Sequence, residues 1–210
     1  MNASRMREIF EPTIESEGGL LTWTNNPRDR GGETVGGVSR VKHPKLRWWA
    51  DVDAISRSDW GEGPIDLSQY EPVQAIQDGV TSFYGDFGWL YKPADPSRRV
   101  HVTDVSSLRV ARKLYDLKVN GGTGLLKAGV RKLQALVGTS ADGTYGPGTA
   151  ARVNSYTTMD ADGRNESFVQ AAVVSLAHGQ MLYYAGIVKR DPSQLTFING
   201  WVNRAFDLLP

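Results

Sequence analysis

The chain of 210 residues contains no cysteine. That excludes disulfides, a thiol nucleophile and Cys-ligated zinc, and it leaves the redox compartment undetermined. Histidine is scarce too: His43, His101 and His178 stand far apart without paired ligand spacing, so no metal site and no cofactor are expected. No serine sits in a Gly-x-Ser-x-Gly setting, which disfavours nucleophilic-serine hydrolysis. The N-terminal Met-Asn-Ala-Ser-Arg-Met-Arg lacks the apolar region of a signal peptide, and no apolar run reads as long enough to span a membrane. The expectation is a chain made in the cytoplasm, without membrane insertion.

What is present is an ordinary globular composition, 40% hydrophobic and 22% charged, sufficient to bury a core without covalent staples. Net charge is +1, but unevenly spread. Residues 1–110 hold 13 Lys+Arg against 16 Asp+Glu, and residues 111–210 hold 11 against 7, so the halves carry −3 and +4. A mildly basic second half suits an anionic polymer, and solvated helix faces explain it as well. No nucleic acid partner is expected, and the chain is read as a monomer.

The pattern is mostly helical. Met6, Ile9, Phe10 and Ile14 predict a helix over 4–17 capped by Ser4, with Pro12 in conflict. Residues 20–24 read as a strand and 33–38 as its return, a short hairpin. Residues 43–66 hold Trp48, Trp49 and Trp60 without periodicity. They read as a surface excursion with short helical turns, whose tryptophans anchor it to the core rather than stack on sugars. Ser68-x-x-Glu71 predicts a capping box for a helix running to about Tyr84, followed by a Phe-Gly-Trp-Leu-Tyr loop. Further helices are predicted over 104–119, 124–137, 147–157, 165–188 and 194–207. The fold class is therefore mainly α, a lysozyme-like α+β arrangement in which a helical bundle carries one small hairpin sheet beside a glutamate.

That glutamate is Glu17, at the end of the first helix, directly before Gly18-Gly19. Asp29, Glu33 and Thr34 follow on a glycine-rich segment. Cleavage of a glycosidic bond needs a protonated carboxylic acid beside the leaving oxygen and a second carboxylate that activates water or attacks directly. A half-buried glutamate at a helix end suits the acid, because burial raises its pKa. Asp29, in a polar hairpin, suits the base, and the Thr34 hydroxyl can hold the water. Glu33 is the reserve candidate for the base and a candidate substrate contact. From spacing alone, Glu17 as a mere helix cap and Asp29 as a turn initiator serve equally well.

The order Glu, Asp, Thr over helix and hairpin is similar to that of phage-type lysozymes. The longer string Glu17-Gly18-Gly19, Asp29-x-Gly31-Gly32-x-Thr34-x-x-Gly37-Val38-Ser39 closely resembles the signature of glycoside hydrolase family 108, the N-acetylmuramidases of bacteria and their phages. The resemblance implies that Glu17 is the essential glutamate. The family's tyrosine after Glu-Gly-Gly is Leu20 here. Tyr84 and Trp89 resemble the family's Tyr and Tyr-Trp positions, and Asp116 to Gly121 its Asp-x-x-Val-Asn-x-Gly segment. From Leu125 on, Leu133-Gln134, Asp142-Gly143-x-x-Gly146-x-x-Thr149 and Gly200-Trp201 resemble a C-terminal peptidoglycan-binding region.

The resemblance implies a catalytic region over 1–122, with 43–66 as an insert, and a helical peptidoglycan-binding region over 123–210. The latter is expected to pack as a second lobe, since no linker separates the two. Peptidoglycan is the implied partner, and Tyr84, Trp89, Asn120, Gln134 and Tyr145 are candidate contacts to it. The expected activity is hydrolysis of the N-acetylmuramic acid to N-acetylglucosamine bond. Lytic transglycosylase activity, or a non-catalytic wall-binding or tail structural role, are the alternatives. The expected setting is a phage endolysin, made in the host cytoplasm and released to the cell wall by a separate permeabilising protein, a holin.

Overall fold

A computed structural model describes residues 3–16, 19–25, 32–56, 60–61, 63–71, 73–158 and 165–207. The chain divides into two compact units, Glu11–Asp86 and Met1–Phe10 with Phe87–Pro210. We call them the sheet unit and the helical unit. The class is as expected, mainly α with little β.

Helix α1, Ala3–Ser16, buries the predicted stripe of Met6, Ile9, Phe10 and Ile14. Ser4 lies inside it rather than at its cap, because the helix already runs from Ala3. Pro12 does not break it. A proline lacks the N–H that would bond the carbonyl four residues back, here that of Glu8. Arg112 Nε donates to this freed oxygen at 2.9 Å.

In the sheet unit, β1 (Thr22–Asn25), β2 (Glu33–Val35), β3 (Val38–Ser39) and β4 (Ile65–Asp66) form an antiparallel sheet of order β3-β2-β1-β4. The expected single return strand over 33–38 is thus corrected to two strands. Gly36 and Gly37, with φ of 54° and 75°, reverse the chain between them in the left-handed region that hairpin turns require. A Cβ on Gly36 would lie 2.4 Å from the Leu20 carbonyl oxygen, so no side chain fits there.

Residues 43–66 are not a surface excursion. They supply helix α2 (Trp49–Ala54) and strand β4, which pairs with β1. Trp48, Trp49 and Trp60 are all buried, and Trp60 packs between Trp23 (centroids 4.8 Å apart) and Tyr70 (5.5 Å). The tryptophans anchor the segment, as their apolar area predicts. Helix α3 spans Val73–Phe87. Ser68 does not cap it: Ser68 sits in a 3₁₀ turn, Leu67–Gln69, capped by Asp66, whose Oδ1 accepts from Ser68 N at 2.9 Å.

The helical unit opens with a two-stranded antiparallel sheet, β5 (Trp89–Tyr91) and β6 (Val100–His101), where the sequence reads as a loop. Helices α4 (Leu108–Val137), α5 (Pro147–Thr157), α6 (Asn165–Arg190) and α7 (Ile198–Phe206) follow. The two helices predicted over 104–119 and 124–137 both form; they follow one another within α4 and are separated by a break at Gly122, whose φ of 60° and ψ of −153° are not helical. Ser107 caps its start, and Gly138, in the left-handed conformation, ends it.

Helix α6 packs along α4. A Cβ on Gly179 would meet the Ala128 carbonyl oxygen at 2.4 Å and Gly129 Cα at 2.5 Å, so the two backbones touch directly. Lys113, fully buried on α4, donates to the Ala205 carbonyl oxygen of α7 at 3.0 Å and stands 3.5 Å from Asp116. A cation at the open carbonyls of a helix end satisfies both partners.

The expectation that no apolar run reaches spanning length is corrected by α6. By length and composition alone it is apolar enough to cross a membrane. Gln170, His178 and Gln180 interrupt the run in sequence, but Gln180 is buried and donates to the Tyr184 hydroxyl at 2.9 Å. Val169, Ala172, Val173, Leu176 and Ala177 line the helix's buried side, while Val174 and Leu182 are exposed on the other.

Gly179→Ala adds one methyl where only backbone atoms could yield. Helix propensity alone would favour the alanine by about 1 kcal/mol. Overpacking reverses the sign, and the variant is expected to lose about 1–3 kcal/mol in urea unfolding with little change in m. A stabilised variant would contradict the backbone contact.

Candidate active site

Strand β2 carries Glu33 and Thr34 side by side, and alternation sends them to opposite faces. On one face, Trp23 and Val35 are Cα partners and both are buried. Glu33 shares that face. Its Oε1 accepts from Trp23 Nε1 at 2.8 Å and its Oε2 from Arg40 Nη1 at 2.9 Å. Arg40 also donates to both carboxylate oxygens of Asp53, at 2.7 and 2.6 Å, and its guanidinium lies 5.2 Å from the centre of the Trp49 ring. Two carboxylates push the Arg40 pKa further above its ordinary value.

On the opposite face, Thr34 and Thr24 are Cα partners, and their hydroxyls lie 2.8 Å apart in a hydrogen bond. The Thr34 hydroxyl is therefore oriented by its neighbour and is only half-buried. Glu17 and Asp29, the expected acid and base, lie outside the described residues. In the sequence, Glu17 directly follows α1, and Asp29 falls between β1 and β2.

The expected substrate contacts divide differently. Tyr84, on α3, is buried, and its hydroxyl donates to the Gly36 carbonyl at 2.6 Å, bracing the β2–β3 turn. Trp89, half-buried on β5, packs edge-on against His101 at 4.9 Å, with Lys92 Nζ 5.7 Å from its ring. Asn120 donates to the carbonyl and carboxylate of Asp116 one turn earlier in α4. Tyr145 is buried, burial pushes its pKa up, and its hydroxyl has no partner among the described residues. No group of His, Asp and Glu able to hold a metal occurs among the described residues.

Gln134 organises the 142–149 loop. Its Nε2 donates to Asp142 Oδ1 (2.9 Å), the Thr144 carbonyl (3.1 Å) and Thr149 Oγ1 (3.1 Å), while its Oε1 accepts from Gly143 N at 2.8 Å. A buried amide that spends both ends on one loop fixes that loop's shape. Beside it opens a cavity of about 390 Å³, lined by Tyr91, Arg98, Thr139, Asp142, Gly148 and Thr149 among others. The sequence reading missed Arg40, Asp53 and Trp23 as partners of Glu33, and Tyr91 and Arg98 as walls of this cavity. Strand parity could have paired Glu33 with the Trp23 face; nothing in the sequence places residues 91 and 98 beside 139–149.

The family model described as Glycosyl hydrolase 108 matches residues 10–122, more than half of the chain. The chain belongs to glycosyl hydrolase family 108. A second model, described as "Predicted Peptidoglycan domain", matches residues 128–206. The two together make this family 108 member a glycoside hydrolase that acts on the peptidoglycan of the cell wall. Among solved structures it is similar to "Structure of Brucella abortus SagA", with 19% identity and a TM-score of 0.48, over 95% of this chain and 88% of that one. No curated protein matches.

In this family 108 chain the Asp142 carboxylate is held below the ordinary aspartate value, first by Gln134 and then by the Thr144 N–H. A carboxyl whose folded value is depressed contributes stability that is complete above its unfolded value and lost as pH falls through the folded one. Gln134→Ala leaves the buried Gly143 N–H without its acceptor and the Thr144 carbonyl and Asp142 carboxylate without the amide donor, and is expected to cost about 1–3 kcal/mol. A carboxyl-detected NMR titration should show the Asp142 midpoint moving up toward the ordinary value in the variant. An unmoved midpoint would remove Gln134 as the cause.

Proposed function

We propose that this family 108 hydrolase is an N-acetylmuramidase that cuts the β-1,4 bond between N-acetylmuramic acid and N-acetylglucosamine by single displacement. Glu17 donates its proton to the leaving O4 of N-acetylglucosamine. Asp29 takes a proton from the water that attacks C1 of N-acetylmuramic acid, and Thr34 holds that water. The observation that carries this reading is the family match over 10–122, which contains the Glu17, Asp29, Thr34 string, together with the half-buried Thr34 hydroxyl on β2. Glu33 fits the base less well than Asp29, since both its oxygens already accept hydrogen bonds on the other face of the strand.

The reading extends to the rest of the chain. Residues 1–122 act as the catalytic region, and residues 123–210 hold the peptidoglycan. Tyr84, Gln134 and Tyr145 serve the substrate indirectly, through the turns and loops that they brace. The biological setting we propose, on the family resemblance, is phage lysis of the host by a monomeric endolysin released by a holin.

Purified peptidoglycan digested by the wild type and by Glu17→Gln, with the soluble fragments weighed by mass spectrometry, tests the chemistry. The wild type is expected to release reducing-end N-acetylmuramic acid, and the variant to be slower by about 10²–10⁴-fold. Anhydro ends would identify a transglycosylase instead. Binding without cleavage by either protein would leave a wall-binding or tail structural role.

A further inference from the structure

We infer that the cavity beside the 142–149 loop binds the peptide stem of peptidoglycan by its free carboxylate, apart from the glycan strand that is cut. The inference rests on the peptidoglycan reading and locates a second contact to the same polymer. The cavity's volume, about 390 Å³, lies within the range of small-ligand sites. Its walls come from both matched regions: Tyr91 and Arg98 fall within 10–122, and Thr139 to Thr149 within 128–206.

The chemistry of these walls favours a short zwitterionic ligand. Arg98 is exposed and, although its charge acts on the nearby Asp95 carboxylate, it is tied up in no close ion pair among the described residues and can meet a ligand's carboxylate. Helix α5 starts at the cavity wall, with Gly146 as its cap, Pro147 and Gly148 in its first turn, no side-chain cap bond and no acidic residue there. Its open N–H groups favour negative charge at the same place.

On the acidic side stands Asp142, whose carboxylate is held in the charged form and can face an ammonium group. Tyr91 supplies an aromatic face to the cavity, suited to an aliphatic stem as well as to a sugar. Both charges of a stem peptide, amino and carboxylate, thus find a complement. An uncharged N-acetylhexosamine would leave Arg98 and Asp142 unused.

The probe is the stem tetrapeptide L-Ala-D-Glu-meso-diaminopimelate-D-Ala, titrated calorimetrically into the full chain, with tetra-N-acetylchitotetraose as the glycan comparison. The peptide has no glycosidic bond, so its binding is read independently of any cleavage. Arg98→Glu, at an exposed side chain, is expected to weaken peptide binding by about ten- to hundredfold. Gly148→Phe should abolish it. A Cβ there meets nothing within 4 Å, so the ring can enter the cavity without displacing the fold.

Unaltered peptide binding by both variants, with circular dichroism spectra like the wild type's, overturns the inference. So does binding of the chitotetraose in place of the peptide, which would make the cavity a sugar site. Peptidoglycan digestion by the same proteins is scored separately. A wild type that binds the peptide but cuts nothing would sink the muramidase reading and leave this one standing.

Discussion

No side chain larger than hydrogen fits between α6 and α4 at Gly179, and the helical unit is built on that restriction. With Gly179 against Ala128 and Gly129, the two longest helices meet backbone to backbone. The contact fixes α4 along its second half, from which Gln134 reaches out to hold the 142–149 loop. The cavity exists because the loop is held there. A displacement of α4 at the Gly129 contact would be carried along a rigid helix to Gln134, since packed interiors transmit strain rather than absorb it.

Around this contact, several polar groups find specific partners across the fold. Lys113 meets the end of α7, Arg112 meets the carbonyl that Pro12 leaves open, and Gln180 meets Tyr184. In the sheet unit, Arg40 ties β2 to α2 through Glu33 and Asp53. Each pairing costs little once made and would be expensive to leave half-made, because a buried donor or acceptor without a partner forfeits its hydration. Such pairings therefore specify which element packs where more than they add to total stability.

The sheet unit separates two neighbouring candidates by parity. Glu33 and Thr34 are adjacent in sequence, yet the strand turns one toward Trp23 and the other toward Thr24. The carboxylate becomes part of an ion-pair network, and the hydroxyl is left oriented and accessible. One short strand thus sends an ion-paired carboxylate to one face and a hydroxyl to the other, and the glycine turn at 36–37 sets where that strand ends.

Some of this was determined by the sequence alone. The apolar stripe of α1, helices α5 and α6, the mainly α class and the family string from Glu17 to Ser39 are local signals, written in periods of a few residues. The family match over 10–122 reflects the same string. Other features came only with the tertiary structure. Residues 43–66 lack periodicity because their order comes from Trp48, Trp49 and Trp60 packing on distant elements. The break between the two predicted helices of α4 falls at Gly122, but glycine's freedom is silent about which conformation is used there, and that conformation sets how the second helix leaves the first. The meeting of Tyr91 and Arg98 with residues 139–149 joins segments some fifty residues apart. Sequence period reports which face of an element is buried, whereas what that face is buried against is decided by packing.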